Sequence, residues 1–372
     1  VKDIAPGPRS SSPADLTPAG GLLYFTVSDA VRGRALWKSD GTARGTVPVE
    51  GTPEDFVFGL RAVGRYLFFS TFSGLWRTDG TAAGTLRLTS TPSELLTPVG
   101  NVLYFARSSP AEQAGLWRTD GTPGGTRRVS PVRPVLSAVA VGERLFFIAG
   151  DAAHGFELWT SDGTAEGTLL VKDIHPGPAG SFTFGSSMTA LGARLFFFAD
   201  DGNHGLEPWV SDGSEAGTYL VEELFPGAEG ANFVELVGDD RLAFFRILRY
   251  GERELLWRSD GTAAGTFVVA CVGAFNLTLI DGLLFFNGDD YTGAGSEPWR
   301  SDGTTAGTWR LQDLAPGPAY TSTLGFTRLG SKVLFFAEDG GTGLEPWSVP
   351  YHSRGDGSPP PSVTSPASAG SR

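Results

Sequence analysis

Leu36-Trp37-Lys38-Ser39-Asp40-Gly41-Thr42-Ala43-Arg44-Gly45-Thr46 returns six more times along the chain, with the same Trp, Asp, Gly, Gly and Thr at the same places. The returns run from Trp76 to Thr85, Trp117 to Thr126, Trp159 to Thr168, Trp209 to Thr218, Trp257 to Thr266 and Trp299 to Thr308, and only Ser214 replaces the first Thr. Successive Trp residues stand from 39 (Trp37 to Trp76) to 50 (Trp159 to Trp209) positions apart. With 52 glycines and no apolar 3.6-residue period, that spacing is the range of β-propeller blades, not of helical repeats. Almost no helix is expected.

A second recurrent element precedes each Trp: Leu23-Tyr24-Phe25, Leu67-Phe68-Phe69, Leu103-Tyr104-Phe105, Leu145-Phe146-Phe147, Leu195-Phe196-Phe197, Ala243-Phe244-Phe245, Leu284-Phe285-Phe286 and Leu334-Phe335-Phe336. These are eight, and the last leads to Trp347 without an Asp-Gly-Thr continuation. Each unit divides into four short strands. In the unit around Trp209 they are predicted over 188–191, 194–199, 206–211 and 218–224, with a tight turn at Gly192-Ala193. Consecutive apolar residues in the second strand predict cover on both faces, as between neighbouring blades.

The chain opens on Val1-Lys2-Asp3-Ile4-Ala5-Pro6-Gly7-Pro8, which matches Val171-Lys172-Asp173-Ile174-His175-Pro176-Gly177-Pro178 after one Asp-Gly-Thr turn. It therefore begins with a fourth strand and ends with a unit that lacks one. The expected fold is all-β, an eight-bladed β-propeller of four-stranded antiparallel blades over residues 1–350, closed by the N-terminal strand completing the last blade. Residues 351–372, rich in Ser, Pro and Gly, are expected to be a disordered tail or linker.

A net charge of −12 opposes nucleic-acid or anionic-lipid binding, and no stretch is long and apolar enough to insert in a membrane. The single cysteine, Cys271, excludes an intramolecular disulfide and, lying in an apolar run, is expected to be buried. A start at Val1 with no signal segment reads as a processed or excised fragment.

Chemically, Asp-Gly-Thr-x-x-Gly-Thr is a turn: Asp accepts backbone N–H groups, glycines permit positive φ, and threonines tie the loop to itself. Asp40, Asp79, Asp120, Asp162, Asp212, Asp260 and Asp302 are too many for a catalytic group needed once. Likewise Trp37, Trp76, Trp117, Trp159, Trp209, Trp257, Trp299 and Trp347 are expected to pack beside the phenylalanine strands. The units resemble the bacterial repeat family with the consensus Glu-Leu-Trp-x-x-Asp-Gly-Thr, matched in full by Glu157-Leu158-Trp159-Thr160-Ser161-Asp162-Gly163-Thr164 and closely by Glu207-Pro208-Trp209. That resemblance spans residues 1 to about 350 and implies an exported protein, secreted or at the cell surface. The Glu is missing before Trp37, Trp76, Trp117 and Trp257, so it is no universal functional group.

Function is therefore sought at the other end of the blades, in the loops between second and third strands and in the linkers between units. Candidates there are Asp151, His154 and Glu157; Asp200, Asp201, His204 and Glu207; the basic loop with Arg246, Arg249 and Tyr250; and Asp289 with Asp290. The Asp pairs suit Ca²⁺ better than zinc. No Gly-x-Ser-x-Gly elbow, phosphate loop or dinucleotide fingerprint is present. Two readings stay open: a non-enzymatic scaffold binding an extracellular polysaccharide or surface protein, and a polymer-acting hydrolase or lyase using these carboxylates and histidines.

Overall fold

The structure is a computed structural model and describes residues 2–5, 11–29, 33–183, 185–227, 233–248, 251, 253–293, 295–314, 321, 323–338 and 343–351. Among them there are 31 strands in eight antiparallel sheets, with one 3₁₀ turn at Ala111–Gln113. Seven sheets have four strands in sequence order, and the fold is a β-propeller. The paired register follows from the repeats: seven aromatic strands place their second aromatic directly opposite the Trp, as in Phe25 with Trp37, Phe147 with Trp159 and Phe286 with Trp299, while in the eighth the first, Phe335, faces Trp347.

Contacts divide the chain into two units, Val1–Asp173 and Ile174–Arg372. In the first, four blades succeed one another with neighbouring first strands in contact, Ala14–Ala19 against Phe58–Val63, then Glu94–Val99, then Ala138–Val141. The second repeats that order with Met188–Leu191, Phe233–Gly238, Gly273–Ile280 and Leu324–Leu329. Phenylalanines of the second strands fill the wedges between blades. Phe68 and Phe105 share one cluster with Leu75 and Leu96, and Phe196, Phe198 and Phe245 share another.

The indoles do not lie as deep as those phenylalanines. Trp209 and Trp347 are buried, but the other six are half-buried, stacked on the strand-two ring as in Phe69–Trp76 and Phe245–Trp257. Their outer position relative to the aromatic strand leaves one ring edge open.

A further fastening joins blades within each unit. The residue after Trp is basic in five of the repeats, and in three of these it bonds the next blade's turn: Lys38 Nζ donates to Gly80 O at 2.5 Å, Arg118 Nη1 to Gly163 O at 3.5 Å and Arg258 Nη1 to Gly303 O at 3.1 Å. The positive φ of those glycines, +92°, +90° and +88°, forms the turn in which that carbonyl meets the cation. On the outer strands, Arg258 and Arg300 also lie over Phe267 and Trp309, which gives the rim rings a cationic cover.

Two expectations need amendment. Cys271 is exposed, because it lies at the bend between Phe267–Ala270 and Gly273–Ile280 while Val269 and Val272 turn inward. The sheet holding Trp347 has three strands among the described residues, and closure by an N-terminal strand is not seen there. Val1 lies outside the described residues, and Lys2 stands over Trp37 with its Nζ 3.4 Å from Thr46 O. The predicted tail from 352 onward also lies outside them.

Candidate functional site

The Asp-Gly-Thr segment builds one turn seven times over. In the first, Asp40 Oδ1 accepts the N–H of Thr42 at 2.9 Å and its hydroxyl at 2.7 Å. Thr42 Oγ1 then accepts the N–H of Gly45 at 2.9 Å, and the Thr46 hydroxyl donates to Thr42 O at 2.6 Å. A Cβ on Gly45 would lie 2.0 Å from Asp40 Oδ1, so only glycine fits. Ser214 reproduces the threonine side-chain bonds with its own hydroxyl, and its carbonyl accepts from the Thr218 hydroxyl. The Thr42 hydroxyl and N–H hold Asp40 below the usual carboxylate range. An anion so engaged fastens the turn to itself.

The motif's Glu is a second fastener, at the opposite end of the third strand. Glu207, fully buried, accepts the N–H of Leu224 on Oε2 and of Phe225 on Oε1, each at 2.9 Å. Glu297 does the same for Leu314 at 2.9 Å, and Glu157 is equally buried. Burial pushes Glu207 up to about 7, against the lowering effect of its two N–H donors. Two repeats without the Glu carry glycine at its position. A Cβ on Gly74 would lie 2.1 Å from Thr89 O, so the descending chain packs directly on the strand there, and Gly115 lies equally close to Ser130 O. This explains why Glu is absent before Trp76 and Trp117.

At the loop end, each candidate carboxylate is engaged locally. Asp151 Oδ1 accepts the N–H groups of Ala153 and His154, and His154 Nδ1 lies 3.0 Å from both its oxygens. Asp201 and His204 repeat the arrangement, with Nδ1 at 2.8 Å from Oδ2. The carboxylate hydrogen bond raises both histidines above their ordinary value. Asp200 closes a turn through the N–H of Gly202, Asp289 through that of Tyr291 and Asp290 through Thr292. Among the described residues no three His, Cys, Asp or Glu side chains form a metal-binding group. Arg249 and Tyr250 lie outside the described residues.

Arg246 is also engaged. Its Nε donates to Glu235 Oε2 at 3.0 Å, its Nη1 to Glu254 Oε2 at 2.8 Å, and its guanidinium lies 4.7 Å from the centre of the Phe275 ring. It is a strut between two blades. Beside it, in the second unit, a cleft of about 390 Å³ is lined by Glu254, Phe275, Asn287, Asp289, Tyr291 and Ser296, with Gly273 and Thr321. Of these only Asp289 belongs to the residues singled out from the sequence.

The others carry a signal that lies in the repeat columns. The position after the aromatic pair is Thr26, Ser70, Ala106, Ile148, Phe198, Arg246, Asn287 and Ala337, so Arg246 and Asn287 are the two bulky polar members. Ser296 stands where Phe156, Leu206 and Leu344 stand elsewhere. In the first unit the same end of the second blade bears a cluster of Phe56, Phe58 and Phe72. Ring centres there lie 5.8 to 6.4 Å apart, and Phe72 is 66% exposed.

No known family profile matches the chain, and no curated protein matches it. Solved structures do. A computationally designed protein, Ika8, matches at 10% identity and a TM-score of 0.52, over 89% of this chain and 95% of that one. A prolyl endopeptidase matches at 10% identity and a TM-score of 0.51 over 92% of this chain, which spans 48% of the endopeptidase. The β-propeller domain of the Trilobed protease from Pyrococcus furiosus is matched at 10% identity and a TM-score of 0.43, over 91% of this chain and 95% of that domain. At such identities the first two likenesses establish the fold alone.

Proposed function

We propose that this protein is a non-enzymatic binding scaffold that recognises an extracellular polysaccharide or surface protein through the loop end of its blades. The observation that carries this reading is the exposed ring of Phe72, clustered with the half-buried Phe56 and Phe58 on a blade whose loops are held by their own hydrogen bonds. Exposed, clustered rings on a rigid support favour association, since little order is lost when a partner covers them. The acid–base alternative loses its motive at the side chains: Glu157 and Glu207 are buried, Glu207 is clamped to backbone, and Asp151 and Asp201 serve their own turns with His154 and His204. Export, which the repeat resemblance implies, belongs to the same proposal.

An array of polysaccharides and surface proteins tests it. The parent protein is expected to bind members of one class, and Phe72→Ala to weaken that binding several-fold with its melting temperature unchanged. Turnover of a polymer by the parent, lost on substitution of Asp151 or Asp201, would replace binding by hydrolysis or elimination.

A further inference from the structure

The cleft in the second unit has polar walls whose hydrogen bonds are incomplete. Asn287 is 8% exposed and Ser296 4%, yet neither Asn287 Oδ1 nor Ser296 Oγ has a partner. Both residues line the cleft. Buried polar atoms in folded proteins are nearly always paired, so two orphans at one wall mark a place where an outside group completes the set.

We propose that this cleft binds a single neutral hexopyranose unit of a saccharide, held by Asn287, Ser296 and Asp289 beside the Phe275 and Tyr291 rings. The assignment rests on the binding-scaffold reading and names its ligand. Three features of the walls select a neutral polyol. Asn287 Oδ1 and the Asp289 carboxylate accept hydrogen bonds, and the Ser296 hydroxyl both donates and accepts, which suits a ligand with several hydroxyls in a fixed fan. Phe275 and Tyr291 supply apolar ring surface for the C–H face of a sugar.

Charge decides against a cation. The Arg246 guanidinium already lies 4.7 Å from the Phe275 ring centre and that of Arg253 5.1 Å from Tyr291, while Glu254 is paired with Arg246 at 2.8 Å. A lysine or arginine side chain entering here would find both rings already engaged by a guanidinium. The volume, about 390 Å³, lies near the lower end of ligand pockets, which run roughly 300 to 1,000 Å³, and suits one ring better than a chain. Position also fits. Tyr291, with φ of +60°, holds its hydroxyl 3.1 Å from the N–H of Glu254, so one wall is braced before any ligand arrives.

The test uses the full chain with the methyl glycosides of glucose, galactose, mannose and N-acetylglucosamine, read by ligand-observed NMR and by calorimetry. At least one is expected to bind. Ser296→Ala and Asn287→Leu are each expected to weaken it tenfold or more. Because they replace atoms that have no partner, they should leave the melting temperature within a few degrees of the parent's. Should Asn287→Leu fail to fold, Ser296→Ala alone carries the comparison. Binding of none of the four glycosides, binding unchanged within twofold in a folded variant, or binding of n-butylammonium in their place would each overturn the assignment. The wider reading is judged separately: array binding that survives both substitutions but falls with Phe72→Ala leaves the scaffold in place and removes this site.

Discussion

A methyl group at Gly167 would stand 2.1 Å from Asp162 Oδ1, far inside van der Waals contact, and the turn that joins two strands would have to open. Gly167→Ala is therefore expected to cost about 1–3 kcal/mol, and Asp162→Ala about 1 kcal/mol through loss of the bonds to Thr164. Urea denaturation of the two variants checks the order. Glu207 gives a pH test. Its value of about 7 in the folded protein, against 4.5 for an ordinary glutamate, means the folded state holds the proton longer than the unfolded one. Its contribution is complete below about pH 4.5 and is lost as pH rises through about 7, by on the order of 3 kcal/mol. Glu207→Gln cannot ionise, so that part of the parent's decline in melting temperature between those values should be missing from the variant; an unchanged decline would show that burial does not govern this carboxylate. The turn chemistry was legible in the residues themselves. Glu207 was not, because its partners, the N–H groups of Leu224 and Phe225, lie 17 and 18 positions away and are no different in sequence from any others.

At the scale of strands and blades, periodicity carried most of the architecture. In the unit around Trp209 the first and third strands fall where the pattern puts them, at Met188–Leu191 and Leu206–Ser211, and the second at Arg194–Asp200 runs one residue further. The fourth does not: it stops at Leu220, because Val221 makes one further bond to Pro208 and the chain then turns its N–H groups to Glu207. The indoles pack beside the aromatic strands but less deeply than the phenylalanines. Phe147 is fully buried and Trp159 half-buried against the same cluster. Phe147→Ala is expected to cost ~3–5 kcal/mol and Trp159→Ala distinctly less, which paired thermal melts will show. The basic residue after Trp was visible in the repeat, but its target was not, since the Gly303 carbonyl reached by Arg258 is 45 residues on and belongs to the next blade. Arg258→Met should lose roughly 1–3 kcal/mol through that bond and the cover over Phe267. A loss no larger than that of an exposed arginine elsewhere would remove the fastening between blades.

For the whole molecule, repetition separates what holds the blades from what distinguishes them. Features that recur, the Asp turn in seven copies and the Trp in eight, account for the scaffold; features present once, such as Asn287, Ser296 and the Phe56, Phe58 and Phe72 cluster, are those on which the proposed binding rests. The loop end stood out in the sequence because its lengths vary between units, and charge drew attention there to Asp and His residues that bond within their own turns. The residues that line the cleft are uncharged apart from Asp289 and Glu254, and they stand out only when compared column by column with their counterparts. One comparison within a single blade separates the two roles. Saccharide binding by the parent, Ser296→Ala at the loop end and Asp302→Asn at the turn end is measured alongside thermal stability. The account predicts that Ser296→Ala loses binding and keeps stability, while Asp302→Asn keeps binding and loses stability; the reverse pattern would contradict it.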